Sequence, residues 1–191
     1  MSAETVADKY LNSQRNWITK YVASRQLELI DKNVDRWVAG KTIIDVGCGN
    51  GVLEALYKSV ASEFTSTDLV DQNIFGIKVN IYSAESLPYE SNRFDTLFLI
   101  GVIEHIENKR RALQECCRVI KLNGKMILVT STGLFWRVMR YVPYYKQSIR
   151  EHADFGKKEL YALLPSQITC EKVFSVVPTM FSMFEFTKVK E

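Results

Sequence analysis

The run Ile43-Ile44-Asp45-Val46-Gly47-Cys48-Gly49-Asn50-Gly51 constrains this chain more than any other stretch, because branched apolar residues give way at once to glycine on alternate positions. The apolar half suits a strand buried in a parallel sheet. A glycine cluster directly after a strand suits a turn whose backbone approaches a ligand closely. A helix is expected to begin near Asn50 and run through Leu53, Leu56 and Val60. Strand, glycine turn and helix form the first half of a Rossmann-like unit, in which N–H groups at the helix start face polar ligand atoms. A tight turn that holds no ligand is the plain alternative.

Further segments extend the sheet. Glu63 to Asp68 reads as a second strand ending in a carboxylate, and Lys78 to Tyr82 as a short third. Phe94 to Gly101 is nearly all apolar, as a central strand covered on both faces must be. Asn123-Gly124 is expected to turn the chain into a fifth strand, Lys125 to Thr130. Ile168 to Val177 and Met180 to Val189, separated by Pro178, read as an antiparallel hairpin. Ahead of all these, Thr5 to Val38 contains no Pro or Gly and spaces its apolar residues by three and four, the period of helices. A break is expected near Leu11 to Arg15 and a stop at Gly40. Such helices serve either as a lid over a ligand or as a packing layer.

Bulk properties exclude some classes. No apolar run approaches the ~20 residues of a membrane span, the longest being Thr96 to Ile103. The first residues include Glu4 and Asp8 and lack the apolar core of a secretory signal, so a cytoplasmic location is expected. Cys48, Cys116, Cys117 and Cys170 lack C-x-x-C spacing, so neither a metal site nor a disulfide framework is expected.

Glycine spacing narrows the ligand. A dinucleotide fingerprint has G-x-G-x-x-G, whereas this chain has G-x-G-x-G with an acid two positions earlier. Asp45 to Gly51 resembles the first motif of class I S-adenosylmethionine-dependent methyltransferases. The resemblance implies that Gly47, Gly49 and Gly51 pass under the methionine end of the cofactor and that Asp45 lies near its ammonium group. Asp68, with Leu69 beside it, sits close to the ~20-residue spacing of the acid that accepts hydrogen bonds from ribose hydroxyls; a simple turn residue or helix cap is the alternative there.

Ser83-Ala84-Glu85-Ser86-Leu87-Pro88-Tyr89 resembles the family's adenine-binding segment from Ala84 onward. Ser83 departs from it, standing where the family has an aspartate. A hydroxyl still accepts from the adenine amine, at about half the strength of a charge-assisted bond, and Glu85 is the nearest substitute carboxylate. The block from Phe94 to Thr130 resembles the small-molecule branch, in which a Val-Leu-Glu-His-like sequence follows the fourth strand. Ile100 and Gly101 then border the cofactor. An Asn-Pro-Pro-Tyr-like motif is missing, which argues against methylation of base nitrogens. His105 is either a general base or a packing residue at the strand end. The segment His152 to Leu160 resembles one near the pocket in the same branch, which makes His152 the better candidate base.

Between Gly133 and Lys158, aromatic side chains alternate with a basic excess that accounts for the whole of the chain's net charge of +3. The connection after the fifth strand commonly builds the acceptor pocket, so Trp136, Arg137, Arg140 and Tyr144 are the candidate substrate contacts. Leu134, Phe135, Val138, Met139 and Val142 also make this stretch amphipathic, compatible with peripheral contact with an anionic membrane. Single-stranded RNA is a further partner class, for which no recognition motif is present.

The expected architecture is α/β: a Rossmann-like, seven-stranded, mainly parallel sheet with an antiparallel last strand, flanked by helices. One domain is expected, comprising N-terminal helices (1–40), a cofactor-binding core (41–131), a substrate-side connection (132–165) and hairpin strands (166–191). The expected activity is methyl transfer from S-adenosylmethionine to a small-molecule or lipid-like acceptor, giving S-adenosylhomocysteine, with no metal and with homo-oligomers allowed. A non-catalytic binding or regulatory subunit is the main alternative. An RNA methyltransferase and a nicotinamide-dependent oxidoreductase are the weaker ones.

Overall fold

The computed structural model describes residues 3–14, 17–131, 156–178 and 180–191. Strand β1 (Thr42–Val46) has no alternating polar face because both sides are covered: Ile43 and Ile44, which point to opposite faces, are each fully buried. The same holds for β4 (Phe94–Ile100), where Leu97 and Phe98 enter opposite cores.

Parallel pairing joins β1 to β2 (Glu63–Asp68) and β4, β2 to β3 (Val79–Ile81), and β4 to β5 (Ile120–Ser131). The closing strands β6 (Ile168–Val177) and β7 (Phe181–Lys188) pair antiparallel, and β7 lies antiparallel against β5. Among the described residues the sheet has seven strands in the order β3-β2-β1-β4-β5-β7-β6, with the last strand reversed as expected.

One face carries α5 (Lys109–Val119) and α6 (Lys157–Leu163), packed through Leu113, Cys116 and Leu160 on Ile44, Leu99 and Leu128. The other carries α1 (Ala3–Ser13), α2 (Trp17–Asp31), α3 (Val34–Trp37) and α4 (Val52–Tyr57), whose Val6, Leu27, Trp37 and Leu53 pack with Ile43, Phe98 and Val129. Gly40, at φ +66°, ends the helical lead-in.

Two boundaries differ from the sequence reading. Helix α4 starts only at Val52, since Gly51 is left-handed, and it closes at Tyr57, whose carbonyl takes the Val60 and Ala61 N–H groups in a turn. Asn123-Gly124 is not a connecting turn. Chain leaving α5 enters β5 directly at Ile120, and Asn123, at φ +64°, sits in a bulge where the register against β4 jumps from Phe94↔Ile120 to Thr96↔Lys125.

With β1 flanked by β2 and β4, which are reached by crossovers in opposite directions, the carboxyl ends of these strands form the crevice where open α/β sheets hold ligands.

Candidate functional site

Three glycines follow β1, all with positive φ: +74° at Gly47, +52° at Gly49 and +82° at Gly51. Their surroundings differ. A Cβ on Gly47 would fall 2.3 Å from Val102 Cγ2, so packing excludes a side chain there, whereas one on Gly51 would fall 2.6 Å from Ile77 Cδ1, the movable end of a flexible side chain. At Gly49 a Cβ meets nothing within 4 Å. The middle glycine therefore faces open space, a cradle shaped by backbone alone.

This loop is braced from β2. The Thr67 carbonyl accepts the N–H groups of Gly47 (2.8 Å) and Cys48 (3.1 Å). Asp68 then clamps the next residue: its Oδ2 accepts the Gly49 N–H at 2.8 Å and its Oδ1 accepts the Leu69 N–H at 2.7 Å. Each carboxylate oxygen retains a lone pair for another donor.

Asp45 ends up in a different state. Its side chain is buried, and among the described residues no hydrogen bond or ion pair reaches its carboxylate. Burial, followed by the negative charges of Asp68 and Glu54, pushes its pKa up to about 8. Glu54 has its own partners, the Ser66 hydroxyl at 2.6 Å and Lys58 at 2.8 Å. Tyr10 is pushed up to about 12 by burial and by Asp45. A buried carboxyl that lacks a cation beside an open backbone cradle suits a positively charged ligand group.

Asp45, Gly47, Gly49 and Ile100 line a cavity of about 260 Å³ together with Tyr10 of α1, Gln14 just beyond its end and Gln26 of α2. These three polar residues escaped the sequence reading. Tyr10 falls within the helical spacing of Thr5 to Val38, and nothing in that period marks which side chain of a buried face is polar at its tip.

Beyond Asp68 the chain forms a second corner. The Tyr82 N–H donates to the Asp68 carbonyl at 3.0 Å, which ties the segment after β3 to the ribose candidate. Ser83 Oγ accepts the Glu85 N–H at 3.1 Å, and Ala84 is half-buried against the core that also takes in Val102. Glu85 points elsewhere: its carboxylate accepts the Asn108 N–H at 3.1 Å, at the start of α5. Leu69 is exposed, as is Gly101 at φ +66°. In the 3₁₀ turn Ile103–His105, Glu104 is buried and accepts the Thr130 hydroxyl at 3.1 Å, while His105 is exposed. Trp136, Arg137, Arg140, Tyr144 and His152 lie outside the described residues.

Residues 44–128, which run from β1 into β5 and contain the glycine loop and Asp68, match the model of a methyltransferase domain. That match, to a methyltransferase domain, covers a little under half of the chain. S-adenosylmethionine is the methyl donor of such domains. The chain is 28% identical over 139 residues to a ubiquinone biosynthesis O-methyltransferase of Coxiella burnetii, covering 64% of this chain and 59% of that one. It is 26% identical over 113 residues to the enzyme of the same name from Thiobacillus denitrificans, covering 50% and 49%. The chain thus spans about three-fifths or less of the length of these curated relatives. Among solved structures, the PH0226 protein of Pyrococcus horikoshii superposes with a TM-score of 0.72 at 17% identity, over 94% of this chain and 98% of that one. A methyltransferase-like protein of Bacillus halodurans reaches 0.67 at 14% identity, over 89% and 99%. At these identities the structures share the fold.

Proposed function

We propose that this protein binds S-adenosylmethionine between the glycine loop and helices α1 and α2, and transfers its methyl group to an oxygen of a small, lipid-like acceptor. The observation that carries the reading is the buried, unpaired Asp45 beside the open cradle at Gly49. A ligand ammonium supplies the missing countercharge, and the cradle admits a chain passing close to the backbone. Asp68, already held by two backbone N–H groups, has lone pairs left for ribose hydroxyls, and the Ser83-to-Glu85 turn borders the base.

When bound, the sulfonium supplies an electrophilic methyl group. The chain's own task is to align the acceptor with it and exclude water, which Tyr10, Gln14 and Gln26 do from the wall of the cavity. Oxygen acceptors also require removal of a proton. His105, exposed on the turn after β4, and His152 are the candidate bases, and Trp136, Arg137, Arg140 and Tyr144 the candidate acceptor contacts. The relatives' names, O-methyltransferases of ubiquinone biosynthesis, support a hydroxyl acceptor on a lipid-like skeleton. Such an acceptor agrees with transient membrane contact by a cytoplasmic protein rather than with nucleic-acid binding. Among the described residues, no helix is long and apolar enough to cross a membrane.

Incubation of the purified protein with methyl-labelled S-adenosylmethionine and fractionated extract tests the reading: label is expected in the lipid or small-molecule fraction, and label confined to RNA would refute it. One observation favours a second reading. With Ser83 at the family's aspartate position and Glu85 committed to α5, the protein is a cofactor-binding subunit without its own turnover if S-adenosylhomocysteine binds while no fraction acquires label.

A further inference from the structure

The corner beyond Asp68 has a chemical property that the proposed cofactor site does not require. Resting on that reading, in which Asp68 holds the ribose and the Ser83-to-Glu85 turn borders the base, the segment after β3 is tied to Asp68, whose carbonyl accepts the Tyr82 N–H at 3.0 Å. The polar side chain that opens this turn is Ser83. Its Oγ accepts the Glu85 N–H at 3.1 Å, and the Ser83 carbonyl accepts the Ser86 N–H at 3.1 Å, so the hydroxyl is fixed in place by a short backbone turn. Glu85, the nearest carboxylate in sequence, is turned away to the Asn108 N–H.

A carboxylate at the Ser83 position could only accept hydrogen bonds, and would therefore select a purine that carries a donor at its 6-position. A hydroxyl has two lone pairs and one hydrogen. The Glu85 N–H occupies one lone pair. The remaining lone pair accepts from a 6-amino group, and the hydrogen, rotated about the Cβ–Oγ bond, donates to a 6-oxo group. Neither base leaves the hydroxyl unsatisfied, so the usual source of strong discrimination, a buried polar group stranded by the wrong ligand, is missing.

We propose that Ser83 is a specificity-determining position that opens the base subsite to 6-oxopurines, so that this protein binds the hypoxanthine counterpart of S-adenosylhomocysteine as well as the adenine compound.

Titration calorimetry with the two thioethers tests this on the full chain, with Ser83→Asp and Ser83→Ala alongside. Aspartate accepts the N–H two residues on as serine does, so the first variant keeps the turn, and thermal unfolding verifies that both variants are folded. The expected dissociation constants of the unaltered protein lie within about fivefold of each other, and Ser83→Asp widens the preference for the adenine compound to about tenfold or more. Ser83→Ala leaves the two ligands near parity. A preference for adenine of about fivefold or more in the unaltered protein overturns the proposal, as does an unchanged ratio in Ser83→Asp. If neither thioether binds, the cofactor reading itself falls and the proposal with it; adenine binding alone removes only the proposal.

Discussion

At the pole of the sheet where β4 begins, the buried charged groups are bonded within the protein; at the pole where β1 ends, one is not. In the first region Arg118 bonds both oxygens of Glu115 at 2.9 Å and the carbonyls of Leu87 and Tyr89 at 2.8 and 2.7 Å. Lys121 pairs with Asp95 at 2.9 Å, and buried Lys188 donates to Asn92 Oδ1 and the Ile120 carbonyl. A crevice of about 670 Å³ opens there beside Arg110, Arg118 and Lys188. In the second region the cavity is smaller, about 260 Å³, yet it contains Asp45, which no cation among the described residues reaches. The larger hollow is thus the less informative one. Incomplete charge compensation, rather than volume, marks where a ligand belongs.

The strongest way to break this contrast is to fill the cradle. Gly49→Trp places a ring in the only glycine position of the loop that faces open space, so affinity for S-adenosylhomocysteine is expected to fall by about a hundredfold or more, beyond the roughly 1–2 kcal/mol of backbone strain at positive φ. Calorimetry showing unchanged binding would displace the cofactor from this loop. At the opposite pole, Arg118→Ala removes the closer of the two guanidinium partners of Glu115, leaving Arg111 at 3.7 Å, and frees two carbonyls. Thermal or denaturant unfolding should show a loss of about 2 kcal/mol, with cofactor affinity unaltered. Loss of binding instead would mean that the poles are coupled.

Asp45→Asn sharpens the contrast because it acts in opposite directions on affinity and stability. Removal of the carboxylate is expected to weaken S-adenosylhomocysteine binding by about tenfold, equivalent to roughly 1.4 kcal/mol. The ligand-free protein should become more stable at neutral pH. Folded Asp45 holds its proton up to about pH 8, whereas the unfolded chain releases it near the usual carboxylate range. Between those values the folded state binds the extra proton, so its stability falls as pH rises. Melting temperatures measured across that window should decline in the unaltered protein and decline less in Asp45→Asn. Ligand affinity should rise with pH over the same window, since ammonium binding ionises the carboxyl. The smallest effect is expected at Arg93→Ala: its pair with Glu63 is exposed and its stacking on Tyr89 and Phe94 is partly solvated, giving about 1 kcal/mol or less by chemical denaturation.

Much of the second region was legible in the sequence. The branched run into alternate glycines marked β1 and its turn because glycine most readily meets the positive φ found at Gly47, Gly49 and Gly51. Asp68 was legible through its spacing, which β2 converts into a place beside Gly49. The functions of individual glycines were not: that Gly49 faces open space while Gly47 meets Val102 depends on residues more than fifty positions apart in the chain. Tyr10, Gln14 and Gln26 were hidden for a related reason. Helical periodicity reports which face of α1 and α2 is covered, and says nothing of the ligand cavity between that face and the sheet. Asn123-Gly124 misled because the pair's left-handed preference serves a bulge as readily as a hairpin. The expected bases and acceptor contacts from Trp136 to His152 fall outside the described residues, so their roles rest on the sequence reading alone.

The contact between Gly47 and Val102 extends beyond the static site. A methyl group added at position 47 has no room unless position 102 shrinks at the same time. Two segments that contribute to different strands therefore form one heritable unit. Across descendants of this chain, a larger residue in the first turn is expected only in company with alanine or glycine after β4, and a selection for suppressors of Gly47→Ala should return changes at Val102.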